Sequence, residues 1–482
     1  MSLVLLANRA PIRPTEDGWV PGLGGLATAL LPVLEERGGA WIAMREPDED
    51  APLTQPYPEA DPRFTVHRVP LDAEAFEGYY NGMANRVLWP LSHYLVDHAE
   101  PDRVFWETYQ AVNERFAEAA LEAARGDARF WVQDYHLMLV PEKLRAARPD
   151  APIGHFWHIP WPAPEVLRIL PSARPLLRGM LGADLVGFHT EGYAENFRES
   201  ARDLLGADID GTTIHWEGRT IRAEAFPIGI DAARFEAMGV SEETARDAER
   251  LREAIGAELL VAAVDRLDYT KGLLLRLDAF EAFLHRYPEM HGRVALVQIA
   301  TPSRTGIETY DQLKREVDEA VGRINGAFSE GNWEPIRYRY RAFDQAELAV
   351  LYRAADVAFV TPLRDGMNLV AHEFAAASRL ERPNALVLSE LTGAADYLDG
   401  AITANPYDTE GLALALYEAL TLDAEARAQR LARMKAAVRR LDVHGWADRF
   451  LKALERARPA STREVGGDGQ AAAVPSVIPV AA

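Results

Sequence analysis

Short runs of apolar and β-branched residues recur along the chain, separated by longer amphipathic stretches. In the first half these runs predict strands at Leu3–Ala7, Ala40–Ala43, Thr65–Val69, Arg129–Gln133, Ile153–His158 and Leu185–Phe188. Leu26–Arg37 and Ala111–Ala124 carry helical spacing. Strands alternating with helices predict βαβ units, and hence parallel sheets covered on both faces. The pattern restarts near Leu259. Strands are predicted there at Leu260–Val264, Val294–Ile299, Ile336–Arg341, Val357–Val360 and Ala385–Leu388, with helices at Leu273–His285 and Tyr310–Ile324.

Between the halves lies Ala225–Ala232, where Pro227 and Gly229 suit an interdomain crossing. The expected fold is α/β, with Rossmann-like domains at residues 1–228 and 229–441 facing a central cleft. A helical pattern runs from Asp423 to about Arg456, with a break predicted at Leu441–Trp446. Segment 442–458 is therefore expected to pack back on the first domain. Residues 459–482 lack a periodic pattern and read as a disordered tail. In such sheets ligands bind where loops converge at the carboxyl ends of strands.

Composition narrows the chemistry. Among 482 residues, 73 acidic side chains outnumber 52 basic ones, for a formal net charge of −21. That argues against nucleic acid or an anionic membrane as the main partner. Any anionic substrate must meet a local cluster of cations. The absence of Cys excludes a disulfide, a thiol nucleophile and Cys-ligated zinc. The opening MSLVLLANRAP lacks a basic segment before an apolar run, so no signal peptide is expected. No apolar run is long enough for a membrane span. The cytoplasm is the default location.

Thr361–Glu373, TPLRDGMNLVAHE, follows the strand Val357–Val360 and leads into an Ala-rich helix. A turn holding Asp365 and Gly366 before a helix start presents backbone N–H groups near Gly366–Leu369, which favour phosphate. Asp365, and Glu373 about two helical turns deeper, can receive sugar hydroxyls at two places. An ordinary N-capped helix is the plain alternative. In AVDRLDYTKGL, Arg266 and Lys271 lie five apart across a turn, which suits a diphosphate. Surface cations are the alternative there. The three-residue spacing of Asp265 and Asp268 does not fit a DxDxT phosphohydrolase.

Asn8 and Arg9 close the first strand, and Gly22, Gly24 and Gly25 lead into a helix. Glycines at that position let a phosphate approach the backbone, although tight turns want them as well. YYNGMANRVLWPLSHY, from Tyr79, is aromatic enough for core packing or for stacking a sugar. Asp134, Tyr135 and His136 follow a strand in WVQDYHLMLVP. His158 precedes Pro160 and Pro162 in GHFWHIPWP, where a lone His is more often structural.

Taken in order, these strings resemble the trehalose-6-phosphate synthases, retaining glycosyltransferases of the GT-B fold, over about residues 3 to 455. The resemblance implies transfer of glucose from UDP-glucose, or another nucleotide-glucose, to glucose 6-phosphate. The product would be trehalose 6-phosphate. It implies donor contacts at Gly25, Arg266, Lys271, Gly366, Met367, Asn368, Leu369 and Glu373. Acceptor contacts are implied at Arg9, Tyr80, Trp89, Asp134 and Arg304. His158 would lie near the reacting carbon and act with Arg266, Lys271 and Asp365. His189 and Tyr193 are expected to be architectural. The nucleotide sugar is a substrate, so no cofactor is expected. With no DxD motif and two cations in place of a metal, no metal is expected either.

Two departures stand out. After Trp41 the family usually continues with a second Trp and Ser-Gly, whereas this chain reads IAMREPDED. Met44 and Arg45 are thus expected beside the acceptor. His372 stands where the family often has Lys and is expected to face nucleotide or solvent. Glycerol 3-phosphate or a cyclitol phosphate stays open as acceptor, and GDP or ADP as the donor's nucleotide. A non-catalytic sugar-phosphate sensor is opposed by the intact Arg266, Lys271, Asp365 and Glu373. The short stretch after residue 458 predicts no second catalytic domain, and hence no fused phosphatase. A homo-oligomer is compatible with the sequence, which does not fix its size.

Overall fold

The computed structural model describes residues 2–15, 18–21, 25–58, 60–303 and 308–457. Gly22, Gly24, Arg304 and the tail expected at 459–482 lie outside the described residues.

The first half forms a ten-stranded sheet. Its parallel core reads, in spatial order, Arg219–Ala225, Leu185–Phe188, Ile153–Phe156, Ala128–Gln133, Ser2–Leu6, Gly39–Arg45 and Phe64–Pro70. The second half forms a six-stranded parallel sheet ordered Ile336–Tyr340, Val294–Thr301, Leu259–Arg266, Val357–Val360, Ala385–Ser389, Ile402–Ala404. Both halves are doubly wound. The strand that is first in sequence sits inside the sheet, later strands first go to one side, and the remainder go to the other. Each sheet therefore has a switch point where neighbouring loops diverge and leave a crevice. This is the GT-B pairing of two Rossmann-like units that the resemblance implies.

The expectation of parallel sheets needs correcting at the edges of the first one. Thr54–Tyr57 pairs antiparallel on one side. On the other, Asp208–Asp210 and Thr213–Trp216 form an antiparallel extension. These strands lack an apolar run because they lie at or next to the margins of the sheet, where many of their residues are exposed. Their turns were the legible signal: Glu217 (φ 46°) and Gly218 (φ 74°) form a two-residue loop with both residues left-handed, a geometry that matches strand twist. Two further boundaries differ. The helix predicted from Ala111 begins at Arg103, and the strand predicted to reach His158 ends at Phe156. The aromatic string before Trp89 is a π-helix, Glu77–Leu88. Such helices are rare and tend to occur at functional sites.

The C-terminal helix Val443–Ala457 lies on the first sheet, and the break before it is confined to Leu441 and Asp442. Its Phe450 stacks on Trp131 at 4.9 Å and meets Phe156 edge-on at 5.6 Å. Gly154 and Gly187 make room for it, since a Cβ on either would lie 2.8 or 2.7 Å from the Phe450 ring. The chain passes between the halves twice, side by side. A Cβ on Gly229 would sit 1.2 Å from the carbonyl oxygen of Leu441. The Val443 amide donates to Ile230 O at 3.3 Å.

Phe450→Ala should therefore open a cavity between the C-terminal helix and the first sheet. The expected loss is about 3–5 kcal/mol of stability, measured by denaturant unfolding.

Candidate active site

Two strand ends flank the switch point of the second sheet. Leu259–Arg266 runs into Asp268 and Lys271, and Val357–Val360 runs into Asp365. Lys271 Nζ donates to Asp365 Oδ2 at 2.5 Å, and Asn368 Nδ2 donates to the same oxygen at 3.1 Å. Burial pushes the Asp365 carboxyl up. Lys271, its hydrogen bond, His93 and Arg266 outweigh that and hold it below the usual range. The carboxylate is thus charged at neutral pH.

A buried fork holds the lysine in place. Arg276 is fully buried on the helix Leu273–Arg286. It bonds Asp265 Oδ2 at 2.5 Å, Gln298 Oε1 at 3.2 Å, Thr361 Oγ1 at 2.9 Å and the Lys271 carbonyl at 3.2 Å. One guanidinium thereby ties three strand ends to the Lys271 turn. Gly272 (φ 65°) completes that turn, because a Cβ there would lie 2.6 Å from Thr361 O. No sequence signal singled out Arg276. Its position in the first turn of an apolar helix was the available hint.

Arg266 points across the cleft. Its guanidinium carbon lies 5.4 Å from the centre of the Trp89 ring and its Nη2 lies 3.9 Å from Asp268 Oδ2. Asp268 is buried and accepts from Thr270 N and Oγ1 at 3.0 and 2.8 Å, which fixes the turn.

Asn368 caps the helix Leu369–Ala377 from a left-handed conformation (φ 69°), its side chain accepting from Ala371 N. The first N–H groups of any helix lack partners within it, so this end favours an anion. The Met367 side chain is in the core, and its carbonyl accepts from Ala394 N and Thr392 Oγ1 at 2.9 Å each. Any donor contact of Met367 must come from its backbone N–H. The helix starts at Leu369, so Glu373 lies about one turn along it rather than the expected two. Tyr352 Oη donates to Glu373 Oε2 at 3.1 Å, a partner the sequence did not suggest. Burial raises the Glu373 carboxyl to about 7. His372 corrects an expectation: it is fully buried, faces neither nucleotide nor solvent, and bonds the Asn368 carbonyl through Nδ1 at 3.3 Å. Burial lowers its pKa to about 4, so a neutral imidazole occupies a core position that a lysine could not fill uncharged at low cost.

At the switch point of the first sheet, Ser2–Leu6 leads to Arg9 and Ala128–Gln133 leads to Asp134. Trp41 Nε1 donates to the Arg9 carbonyl at 3.0 Å, and Arg9 Nη2 reaches Tyr80 Oη at 3.0 Å. Tyr80 stacks on His136 at 5.9 Å. Tyr79 is fully buried and donates to Asn8 Oδ1 at 2.8 Å, so it belongs to the core. Trp89 is nearly buried, packed on His93 at 4.3 Å. Asp134 has φ 68°, an uncommon conformation for a non-glycine residue at a functional edge. Its Oδ1 accepts from His158 N at 3.2 Å. His158 Nε2 bonds Gln133 Oε1 at 2.8 Å. Burial, with His189 and His155 nearby, drives the pKa of His158 well below the usual value, so the ring is neutral.

The departure after Trp41 lands differently from expectation. Met44 belongs to the strand Gly39–Arg45 and its side chain is in the core. Arg45 turns away to the Ala51 carbonyl at 3.1 Å. The residue from this stretch beside the site is Glu46, 3.7 Å from Arg9 Nη2. Strand alternation sends neighbours to opposite faces, which a loop reading could not foresee.

The two edges touch. A Cβ on Gly366 would lie 2.2 Å from the His158 carbonyl oxygen, so only glycine permits this approach. Tyr193 Oη donates to Asp365 O at 3.0 Å, and Tyr397 Oη donates to His189 O at 2.8 Å. Arg364 lies over the Tyr94 ring at 4.0 Å. A cavity of about 190 Å³ between the halves is lined by Asn85, Arg86, His98, Tyr269 and Tyr310. Gly25 starts the helix Gly25–Arg37. His158, Arg266, Lys271, Asp365, Gly366, Trp89 and Asp134 are thus brought to one cleft, with Arg9 and Tyr80 on its first-sheet side.

The sequence model of Glycosyltransferase family 20 matches residues 5–456. The trehalose-6-phosphate synthase of Mycobacterium marinum is 42% identical over 477 residues, 95% of this chain and 94% of that one. The bifunctional trehalose-6-phosphate synthase/phosphatase of Thermoproteus tenax is 40% identical over 95% of this chain, which spans 64% of that relative's length. Among solved structures, the UDP-forming α,α-trehalose-phosphate synthase of Burkholderia xenovorans in complex with glucose 6-phosphate superposes with a TM-score of 0.87 at 36% identity, covering 94% of this chain and 100% of that one. The Escherichia coli protein bound with UDP-2-fluoro glucose gives a TM-score of 0.87 at 34% identity, covering 95% and 99%.

Glu373 yields a pH signature. Its pKa in the fold, about 7, exceeds the value of 4.5 expected when unfolded, so the native state binds more protons between the two. Its contribution to stability falls as pH rises through that window and stays low above it. Glu373→Gln should therefore gain melting temperature over the wild type at pH 8 relative to pH 5. Equal differences at both pH values would contradict the burial of this carboxyl.

Proposed function

Because this chain belongs to glycosyltransferase family 20, we propose that it transfers glucose from UDP-glucose to glucose 6-phosphate with retention, giving trehalose 6-phosphate. The observation that carries this reading is the facing of two switch points, one with Arg266, Lys271 and a helix N-terminus, the other with Arg9, Tyr80 and Asp134. The first suits a nucleoside diphosphate and the second a phosphosugar.

In the proposed reaction the bond between the anomeric carbon and the β-phosphate oxygen breaks. The anomeric hydroxyl oxygen of glucose 6-phosphate forms the new bond on the same face. Its proton passes to the departing phosphate. The state of the nearby groups supports this route. Asp365 is held ionised by Lys271, and His158 is held as a neutral imidazole whose remaining N–H is too weakly acidic to give up, so neither serves as a general acid at neutral pH. The task left to the protein is to stabilise charge on the leaving diphosphate and to position two sugars. We assign the first to Arg266, Lys271 and the N–H groups at Gly366–Leu369, with Gly25 also on the donor phosphates. Asp365 and Glu373 take donor hydroxyls. Arg9 and Arg304 hold the acceptor phosphate, Tyr80, Trp89 and Asp134 its sugar. We further place the boundary between the two catalytic halves at the Ala225–Ala232 crossing, with 1–228 as acceptor domain, 229–441 as donor domain, and the cytoplasm as the site of action.

A matrix of nucleotide-glucoses against phosphorylated acceptors, read by nucleotide release and product mass, tests the reading. UDP-glucose with glucose 6-phosphate should be the best pair, and preference for a glycerol or cyclitol phosphate would overturn the acceptor assignment. Lys271→Ala and Arg266→Ala should each lower turnover by about two to three decades at saturating donor, the scale of one lost charge-stabilising contact. Arg9→Ala and Arg304→Ala should raise the acceptor KM and reduce discrimination between glucose 6-phosphate and glucose. Glu46→Gln should do the opposite to KM, because the Glu46 carboxylate competes with phosphate for Arg9. An acceptor KM unmoved by Arg9→Ala would remove the phosphate from that arginine.

A further inference from the structure

Behind the donor half, at the edge where the strands Val357–Val360 and Ala385–Ser389 begin, lies a second cavity of about 170 Å³. It is on the opposite end of those strands from the catalytic cleft. Glu249, Arg252, Arg353, Arg379, Arg382 and Asn384 line it. Four guanidinium groups crowd a small space in a chain whose net charge is −21.

Their partners are unequal. Arg252 is occupied by Asp356 Oδ2 at 2.8 Å and the Ala354 carbonyl at 2.6 Å. Arg382 reaches the other Asp356 oxygen at 3.3 Å. Arg379 pairs with Glu381 at 3.0 Å on the rim. Arg353 donates to the Gly239 carbonyl and makes no salt bridge among the described residues. Burial, and then Arg379, lower its pKa against the opposing pull of Glu249 and Glu381. Four arginines face the carboxylates of Asp356, Glu249 and Glu381, which leaves one positive charge in excess. Asn384 adds a second, independent demand. It is nearly fully buried, and its Nδ2 donates to the carbonyls of Tyr352 and Ala355 at 3.3 Å each. Its Oδ1 has no partner.

We propose that this cavity binds a small phosphomonoester that also bears a free hydroxyl. The guanidinium forks match phosphate oxygens geometrically. A phosphate dianion has no proton to offer Asn384 Oδ1, whereas a hydroxyl satisfies that orphaned acceptor. The site touches the catalytic machinery through one residue. The Tyr352 carbonyl accepts from Asn384, and its hydroxyl donates to Glu373.

Titration calorimetry on the full chain, with ribose 5-phosphate as the probe, tests this. Arg379→Gln/Arg382→Gln is the chosen variant because both side chains are partly exposed and their loss should leave the fold intact, which a melting curve checks. Hydrogen bonds to charged groups are worth about 1.5–3 kcal/mol, so affinity should fall by at least about tenfold. The Arg9→Ala and Lys271→Ala variants should retain the binding event, because they alter only the catalytic cleft. Inorganic phosphate should bind more weakly than the probe, and ribose should not compete. Loss of binding in Arg9→Ala or Lys271→Ala but not in the double variant would place the probe in the cleft and overturn the proposal. So would equal affinity for inorganic phosphate, or the absence of binding at millimolar probe.

Discussion

The salt bridge between Lys271 and Asp365 is the interaction on which the site depends. It joins the two loops that leave the second sheet at its switch point, and it does so where burial pushes a carboxyl pKa up. Neither partner could hold its place unaided. Arg276 supplies the anchor, spanning Asp265, Gln298, Thr361 and the backbone of Lys271 from a fully buried position. Removal of one partner from such a network leaves an uncompensated buried charge, which is costly, so the network acts as a unit. The cations are thus preorganised before any phosphate arrives, and little reorganisation is left for the moment of reaction.

The second constraint is steric. The His158 carbonyl presses on Gly366, so the first-sheet and second-sheet edges meet through backbone rather than through long side chains. Around that contact, the tyrosine hydroxyls of Tyr193 and Tyr397 cross to carbonyls on the opposite half. Hydrogen bonds to backbone set distance more tightly than exposed ion pairs do. The arrangement also explains why two histidines near the cleft are neutral. His158 packs against Phe156 and Trp446 and His189 against Phe156, where a charged ring would lose its hydration; for His189 that loss outweighs the attraction of Asp365.

Much of the architecture was legible as periodicity. Apolar runs buried on both faces mark central parallel strands, and Leu185–Phe188 and Val357–Val360 form at the predicted residues. Edge strands were missed because half their residues face solvent, which erases the apolar run. The π-helix Glu77–Leu88 was read as an aromatic string, since its wider turn does not produce the usual helical spacing. His372 was expected to face nucleotide or solvent and Met44 to lie beside the acceptor, both from their place along the chain, and both proved to be core residues. A motif gives a position along the chain, whereas the direction of a side chain depends on the register of the element that carries it. Arg276, Tyr352 and Glu46 went unnoticed for the converse reason: each acquires its role from partners far away in sequence.

What the sequence determined by itself was local. Strand–turn–helix junctions at Asn8–Arg9, Asp134, Arg266–Lys271 and Asp365–Leu369 follow from short-range pattern, because backbone geometry and helix-end polarity act over a few residues. What only the tertiary structure decided was convergence and protonation. The order of strands brings Lys271 to Asp365 across 94 positions of chain, and the packing of the two halves brings Arg266 to Trp89. Burial then sets which groups carry charge, raising Glu373 to about 7 while Lys271 keeps Asp365 ionised. Solvation and Coulombic attraction depend on distance and exposure in space, and neither is written in the order of residues.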